Sequence, residues 1–391
     1  MSKPTVKITR TIRSEQVLNA FAQVVRRNLP LELKNTRITA DDIVYALAYA
    51  NVHRLSISSA CQELQGAPSG NRLREVLVES LPDRSGVQRA LNRIFHQQLH
   101  PSLLKGVRDY NMAIDLTLIP YHGQPYEDQK EIVRGAPKSG TTHFHGYATV
   151  SIVRDHRRYV VALRFIEYGE EMADIVRWLI KRVKSLKIRI RRAFLDKGFC
   201  SKLVFKVLKQ HELSYVTPIP VRGKSGGVRR LFQGQSCKTT YTFDSPKYGE
   251  YTVQAVAVKR YSKGRYGRHT SKWFAYAVAG LPASILPAQV FELYRQRFGI
   301  ESSYRQMNLV RARTSTRNPA IRLLLVGLAF VLFNLYIALR QSLASALKRP
   351  LESPKRFWLS LRRLALLLGR AIERLWDITD ILQLQPCFAL S

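Results

Sequence analysis

Three acidic residues have neighbours that suggest chemistry. Asp115 interrupts an otherwise apolar run, Ile114-Asp115-Leu116-Thr117-Leu118-Ile119, and a carboxylate there is costly to bury unless it is paired or holds a cation. Asp196 closes the run Arg192-Ala193-Phe194-Leu195 and is followed by Lys197-Gly198-Phe199. Glu301 belongs to a helical stretch in which Tyr294, Arg297, Glu301, Arg305 and Asn308 recur at spacings of three and four residues, so that all five share one face. Three carboxylates with few other donors nearby suit hard, oxygen-loving cations. Two such ions about 3.5–4 Å apart can activate a water and stabilise a leaving 3′ oxygen. On this reading Asp115, Asp196 and Glu301 are both the catalytic residues and the metal ligands. The Tyr294 ring is placed to stack on a displaced base and the Arg297 guanidinium to grip a phosphate. Taken singly, each acid also has an ordinary explanation: a strand-end acceptor for Asp115, a turn residue before Gly198 for Asp196, and an i,i+4 partner of Arg297 for Glu301.

The elements that must carry these side chains are legible in the periodicity. Ala113–Ile119 reads as a strand; Tyr147–Val153 and Tyr159–Phe165 flank the polar turn 154–158 as a hairpin. Glu171–Lys187 has Ile175, Trp178, Leu179 and Val183 on one side and cations on the other, the pattern of an amphipathic helix. A strand from Arg189 to Leu195, a helix from Lys202 to His211 and a strand from Ser214 to Ile219 follow. The order β-β-β-α-β-α-β is that of an RNase H-like sheet whose first three strands form an antiparallel meander. In such a sheet the strands bearing Asp115 and Asp196 are neighbours. Val221 to about Gly280, with alternation in Thr239–Phe243 and Tyr251–Val258, is expected to form a small β-rich insertion that does not continue the sheet. Pro287 then opens a long helical stretch, with Leu293, Ile300 and Met307, and Phe291 with Phe298, on a separate buried face.

Asp115-Leu116-Thr117, Asp196-Lys197-Gly198-Phe199 and Tyr294-x-x-Arg297-x-x-x-Glu301 resemble the three catalytic regions of insertion-sequence DDE transposases, in the subgroup with a tyrosine-arginine-glutamate signature. The resemblance covers roughly residues 110 to 310, and the longer interval, between Asp196 and Glu301, holds the β-rich insertion. One position departs: Asn308 stands where the subgroup carries Lys or Arg, leaving Arg305 or Arg311 as the cation for a strand-end phosphate. The resemblance implies binding to the terminal inverted repeats of an element. It implies Mg²⁺-dependent cleavage at the element ends (two ions, with Mn²⁺ as a substitute) and joining of the freed 3′ hydroxyl to target DNA. It also implies a homodimer, because two ends must be held together.

The rest of the chain is consistent with a DNA partner. There are 63 Lys+Arg against 28 Asp+Glu, a formal charge of +35, and such an excess repels itself unless a polyanion neutralises it. The cations are spread over the whole length, whereas lipid-binding clusters flank one anchor. Before Asp115 the chain reads as short helices. Val17, Leu18, Phe21, Val24 and Val25 recur at helical spacing, and Thr39 with Asp42 forms a capping pair. A helix near Ile57–Leu64, a break at Gly66–Gly70 and a helix from Asn71 to about Glu79 give the order helix, turn, helix. This is either a DNA reader with Asn71, Arg72 and Arg74 at bases or phosphates, or a plain bundle whose arginines are solvated. Further basic candidates for DNA are Lys181 and Arg182, in a dense run from Arg177 to Arg192, and Lys263 and Arg265, interleaved with Tyr261, Tyr266 and Trp273. His143 and His145 suit phosphate or backbone contacts better than metal.

Four well-separated cysteines without a C-x-x-C pair, and no secretory signal ahead of them, suggest a reducing cytoplasm, here a prokaryotic one with the protein on the nucleoid. The apolar run Leu323–Leu339, interrupted by Asn334, falls short of the ~20 residues of a membrane span and reads as a buried core helix. The expected layout is an all-α DNA-end-binding region over 1–105, an RNase H-like mixed α/β core over 106–220 and 285–345, the insertion over 221–284 and a helical appendage over 346–391. The rival readings are a structure-specific nuclease on the same fold, which cuts but never joins, and a non-catalytic relic that only binds DNA.

Overall fold

The structure, a computed structural model, describes residues 11–104, 109–154, 157–246, 248–263, 269–297, 305–346 and 359–380. These form two compact units, one within 1–97 and 306–391, the other within 98–305.

The first unit is helical. Helix α1 (Ser14–Asn28) buries Val17, Leu18, Phe21, Val24 and Val25, the face that the spacing predicts. Thr39 and Asp42 form the capping box that opens α2 (Ala40–His53), each side chain bonding the other's backbone N–H. Helices α3 (Ile57–Gln62) and α4 (Gly70–Ser80) follow, capped by Ser56 and Ser69, and then α5 (Arg84–Gln98). The turn between α3 and α4 is tight: a Cβ on Gly70 would lie 2.6 Å from the Cα of Ser58.

The long helix Pro319–Ala346 belongs to this unit. Its mean hydropathy reaches 2.2, enough with its length to cross a membrane, yet 94% of that window is buried inside the protein. A helix apolar on nearly all sides must be covered on nearly all sides, and here other helices supply the cover. Gly327 lets it close on α5, since a Cβ there would sit 2.2 Å from Cδ1 of Leu91. Arg313 N–H bonds to the Leu55 carbonyl and Ala312 N–H to Oδ1 of buried Asn51.

The described residues from 306 onward therefore pack with the N-terminal helices, whereas the sequence places 285–345 wholly with the sheet. Nor is the described part of 346–391 an appendage. The helix Leu361–Trp376 buries Leu361, Leu364, Leu368 and Ile372 and lies on α1 and α2. Backbone bonds from Gln65 N–H to the Asp377 carbonyl and from Thr379 N–H to the Glu63 carbonyl tie its end to the turn after α3.

The second unit is built on one mixed sheet. After the short α6 (Pro101–Leu104), β1 (Tyr110–Pro120), β3 (Thr141–Arg154) and β4 (Arg157–Ile166) form the expected antiparallel meander. A short β2 (Val133–Lys138) extends β3 beyond the end of β4. Helix α7 (Met172–Ser185), which packs on β3 and β4, leads to β5 (Ile190–Leu195), parallel to β1. Helix α8 (Lys202–Gln210) leads to β6 (Ser214–Pro218), parallel to β5. This is the order and direction expected of an RNase H-like sheet.

The insertion is β-rich as expected, but it does continue the sheet. Strands β7 (Cys237–Phe243), β8 (Tyr251–Lys263) and β9 (His269–Ala279) form a meander whose last strand pairs antiparallel with β6, Val216 opposite Val278, giving a sheet of nine strands among the described residues. The physical reason is an open edge: β6 without a partner would leave a row of unpaired backbone groups. Helix α9 (Pro287–Arg295) packs on β6 and β8.

Candidate active site

Strand register brings the first two acids together. Ile114 of β1 is opposite Leu195 of the parallel β5, so Asp115 and Asp196, one residue further along each strand, are neighbours. Asp115 lies mid-strand and is only 7% exposed. Its Oδ1 accepts from Leu116 N–H at 2.9 Å and from Arg297 Nη2 at 3.1 Å. Asp196 lies just past the end of β5 and precedes a single turn, Lys197–Phe199, pinned by the fully buried Phe199; the Asp196 side chain makes no capping bond to that turn. Its side chain is 37% exposed. One carboxylate is thus embedded and the other faces solvent.

The basic partner comes from the turn after α9. Tyr294 is anchored among Ala113, Phe194, Val216, Tyr276 and Val290, and its hydroxyl donates to the Leu195 carbonyl at 3.2 Å. Arg297 Nη1 donates to that hydroxyl at 3.0 Å and lies 3.5 Å from Oδ1 of Asp196. The guanidinium therefore spans both acids with 3% of its side chain exposed.

The electrostatics follow from burial and these contacts. Burial pushes the Asp115 carboxyl up to about 6; the Asp196 charge adds to the rise, while Arg297 and the Leu116 N–H oppose it. Burial also raises the Tyr294 phenol. Arg297 is shifted upward although burial acts the other way, because Tyr294, Asp115 and Asp196 all favour its charged form.

Two carboxylates on adjacent strands are hard oxygen donors, and burial at Asp115 leaves negative charge that a cation relieves. That donor set fits a divalent metal of the Mg²⁺ type. Among the described residues no group of three or more His, Cys, Asp or Glu side chains comes together; Glu301, the expected third acid, lies outside the described residues.

The other expected contact residues fall in different places. Tyr294 and Arg297 are buried rather than offered to a DNA end, and α9 stops at Arg295, so the described part of the stripe is not one continuous helix face. Arg305 and Asn308 are exposed. Asn71, Arg72 and Arg74 are exposed on α4; Arg74 donates to Oδ1 of Asn71 at 2.6 Å and Arg72 pairs with Glu75 at 3.1 Å. On α7, Lys181 is exposed and Arg182 half-buried. Lys263 is the last residue of β8, and Arg265 lies outside the described residues. Nearby on the β8–β9 ribbon, Lys259 Nζ is 5.5 Å from the ring centroid of its cross-strand partner Trp273, which stacks on Phe232.

His145 is buried edge-on against Tyr121, whereas His143 lines a cavity of about 480 Å³ with His122, Arg134, Thr141 and Tyr168. Sequence reasoning missed this cavity; the signal was a cross-strand pair, Arg134 opposite His143, which a single short strand does not announce.

A family model described as the transposase DDE domain matches residues 108–335, more than half of the chain. The chain belongs to that family. Its fold is similar to that of a piggyBac transposase in a cryo-EM synaptic complex with hairpin DNA, with a TM-score of 0.54 at 15% identity, over 96% of this chain and 82% of that one. No curated protein sequence matches.

Proposed function

We propose that this transposase binds the terminal inverted repeats of an insertion sequence, cleaves the element ends and joins the freed 3′ hydroxyl to target DNA. The observation that carries the reading is the convergence of Asp115 and Asp196 at adjacent parallel strands in a chain of the DDE family. Asp115 and Asp196, with Glu301, would hold two Mg²⁺ ions, for which Mn²⁺ can substitute. Bound there, the metals supply Lewis-acid activation of the attacking oxygen and charge stabilisation at the leaving 3′ oxygen.

The protein's own residues do the positioning. Embedded Asp115 gives a rigid ligand fixed by the Leu116 N–H, and Asp196 gives one open to a phosphate. The charge of +35 draws in the DNA backbone. Asn71, Arg72 and Arg74 on α4, Lys181 and Arg182 on α7, Arg305 and Asn308, Lys263 at the end of β8, and Arg265 are the proposed DNA contacts. The working species is a homodimer on two ends, in a prokaryotic cytoplasm and on the nucleoid.

The test uses the DNA flanking the gene as candidate ends. Asp115→Ala, Asp196→Ala and Glu301→Ala should each abolish Mg²⁺-dependent cleavage while end binding survives; cleavage that persists removes that residue from the site. Wild-type protein given a pre-cut end should yield covalent end-to-target products on a denaturing gel. Ends that are nicked but never joined under any divalent metal would make the protein a nuclease.

A further inference from the structure

We propose that Arg297 is the internal counter-ion that holds Asp115 and Asp196 together without metal, and that it competes with a divalent cation for the same two carboxylates. The competition rests on the reading of these acids as metal ligands; the counter-ion role rests on geometry alone.

Two carboxylates on neighbouring strands repel each other, and the repulsion is strongest where water is excluded. A cation in contact with both relieves it, and a buried charge without a partner is strongly destabilising. Arg297 meets that need: Nη2 is 3.1 Å from Asp115 and Nη1 is 3.5 Å from Asp196. Its planar fork suits two acceptors at a fixed angle in a way that a lysine ammonium does not.

Arg297 is also held in place. The Tyr294 hydroxyl accepts from Nη1 while donating to the carbonyl of Leu195. The guanidinium is therefore tied to the strand that ends in Asp196, through a ring packed in the core. A phosphate-gripping arginine is presented to solvent, whereas this one is 3% exposed. Arg297 and Tyr294 are accordingly positioning residues.

A metal bound by both carboxylates takes on the role that Arg297 already fills and lies close to its positive charge. Removing that charge should weaken the metal-free protein yet strengthen cation binding. A merely structural arginine would weaken both, so the opposite signs discriminate.

The experiment uses the full chain, freed of metal by chelation. Thermal unfolding is followed for wild type, Arg297→Gln, Asp115→Asn and the double variant, and Mn²⁺ binding is titrated by calorimetry. Arg297→Gln should lower the metal-free Tm by about 5 °C or more, and by less than half as much in the Asp115→Asn background, since the charge it balances is gone. It should bind Mn²⁺ about tenfold or more tighter than wild type.

Additive losses in Tm would overturn the counter-ion role; Mn²⁺ binding that is equal or weaker would overturn the competition. Should Arg297→Gln fail to fold, the double variant is expected to fold, and its failure too would overturn the proposal. A wild type without Mn²⁺ binding that Asp196→Asn abolishes removes the metal reading and the competition with it. The thermal cycle then still decides the counter-ion role by itself.

Discussion

The Tyr294 hydroxyl donates to the carbonyl of Leu195, the residue immediately before Asp196. A side chain on α9 thereby fixes the end of β5 from which an acid projects, and the same oxygen receives Arg297 Nη1. Tyr294→Phe keeps the ring among its core neighbours and removes only this junction. It removes the donor to the Leu195 carbonyl and one acceptor of Arg297 Nη1, at a cost of about 1–3 kcal/mol. Urea unfolding should show that loss, with end cleavage reduced and DNA affinity retained. Unchanged stability would mean that the hydroxyl does not brace the site.

His53 gives the helical unit a pH dependence. It lies on α2 with Nε2 3.5 Å from Glu373 of the helix Leu361–Trp376, whose carboxylate also accepts from the Tyr49 hydroxyl. Burial lowers the His53 pKa and outweighs Glu373 and Glu63, which raise it. The folded state therefore favours neutral imidazole. The associated stability is present above the unfolded value of about 6.5 and is lost as the pH falls through the folded one. His53→Gln should remove that part of the acid limb. The check is the wild-type minus variant difference in unfolding free energy between pH 7.5 and 5, and a difference that does not narrow as the pH falls counts against the assignment.

The core of the site was legible because its signals are local. An acid inside the apolar run around Asp115 and another closing the run before Lys197 are anomalies of burial, and the order of strands makes them neighbours. Partnership across the chain was not legible. The periodicity of Tyr294 and Arg297 gave a shared face but not the direction of that face, and both side chains turned inward to the strand ends. For the same reason β7–β9 read as a separate insertion: alternation defines a strand but not its partner, and the open edge of β6 decided that. The length of the run Leu323–Leu339 marks a core helix, but not that α1, α2, α5 and the helix Leu361–Trp376 are what cover it.

That packing yields a prediction of its own. A Cβ on Gly327 would lie 2.2 Å from Cδ1 and 2.5 Å from Cδ2 of Leu91, itself fully buried, so one of the two helices must move. Gly327→Ala gains helix propensity of roughly 1 kcal/mol but overpacks the contact at a cost of about 1–3 kcal/mol. A net loss is expected. Leu91→Ala alone should cost about 2–5 kcal/mol through its cavity, and the double variant should lose less than the sum, because the new methyl fills part of the space. Strict additivity in chemical denaturation would show that the close approach carries no strain.

The helix α4 separates the DNA-reading and plain-bundle interpretations of the N-terminal helices. Asn71 and Arg74 line a groove of about 620 Å³ together with Ser56 and Ser58 at the start of α3 and Thr314 and Thr316. Glu75, Glu79, Ile57, Val78 and Ile321 line the same groove, so the DNA-reading interpretation rests on the exposed Arg72 and Arg74 of α4, the second helix of a helix, turn, helix order. Each phosphate contact adds about 0.9 to the slope of log K against log salt. Arg72→Ala combined with Arg74→Ala should therefore reduce that slope by up to about 2 on authentic ends. If either arginine also reads a base edge, discrimination against mismatched ends should fall by about 1–3 kcal/mol. Arg26→Ala is the control: its Nη1 donates to both carboxylate oxygens of Asp41, at 2.6 and 2.7 Å, so its loss should leave the slope unchanged. Fluorescence anisotropy across a salt series measures all three proteins. If the α4 double variant keeps the wild-type slope and the wild-type preference for authentic ends, the N-terminal helices form a plain bundle, and end recognition lies elsewhere in the chain.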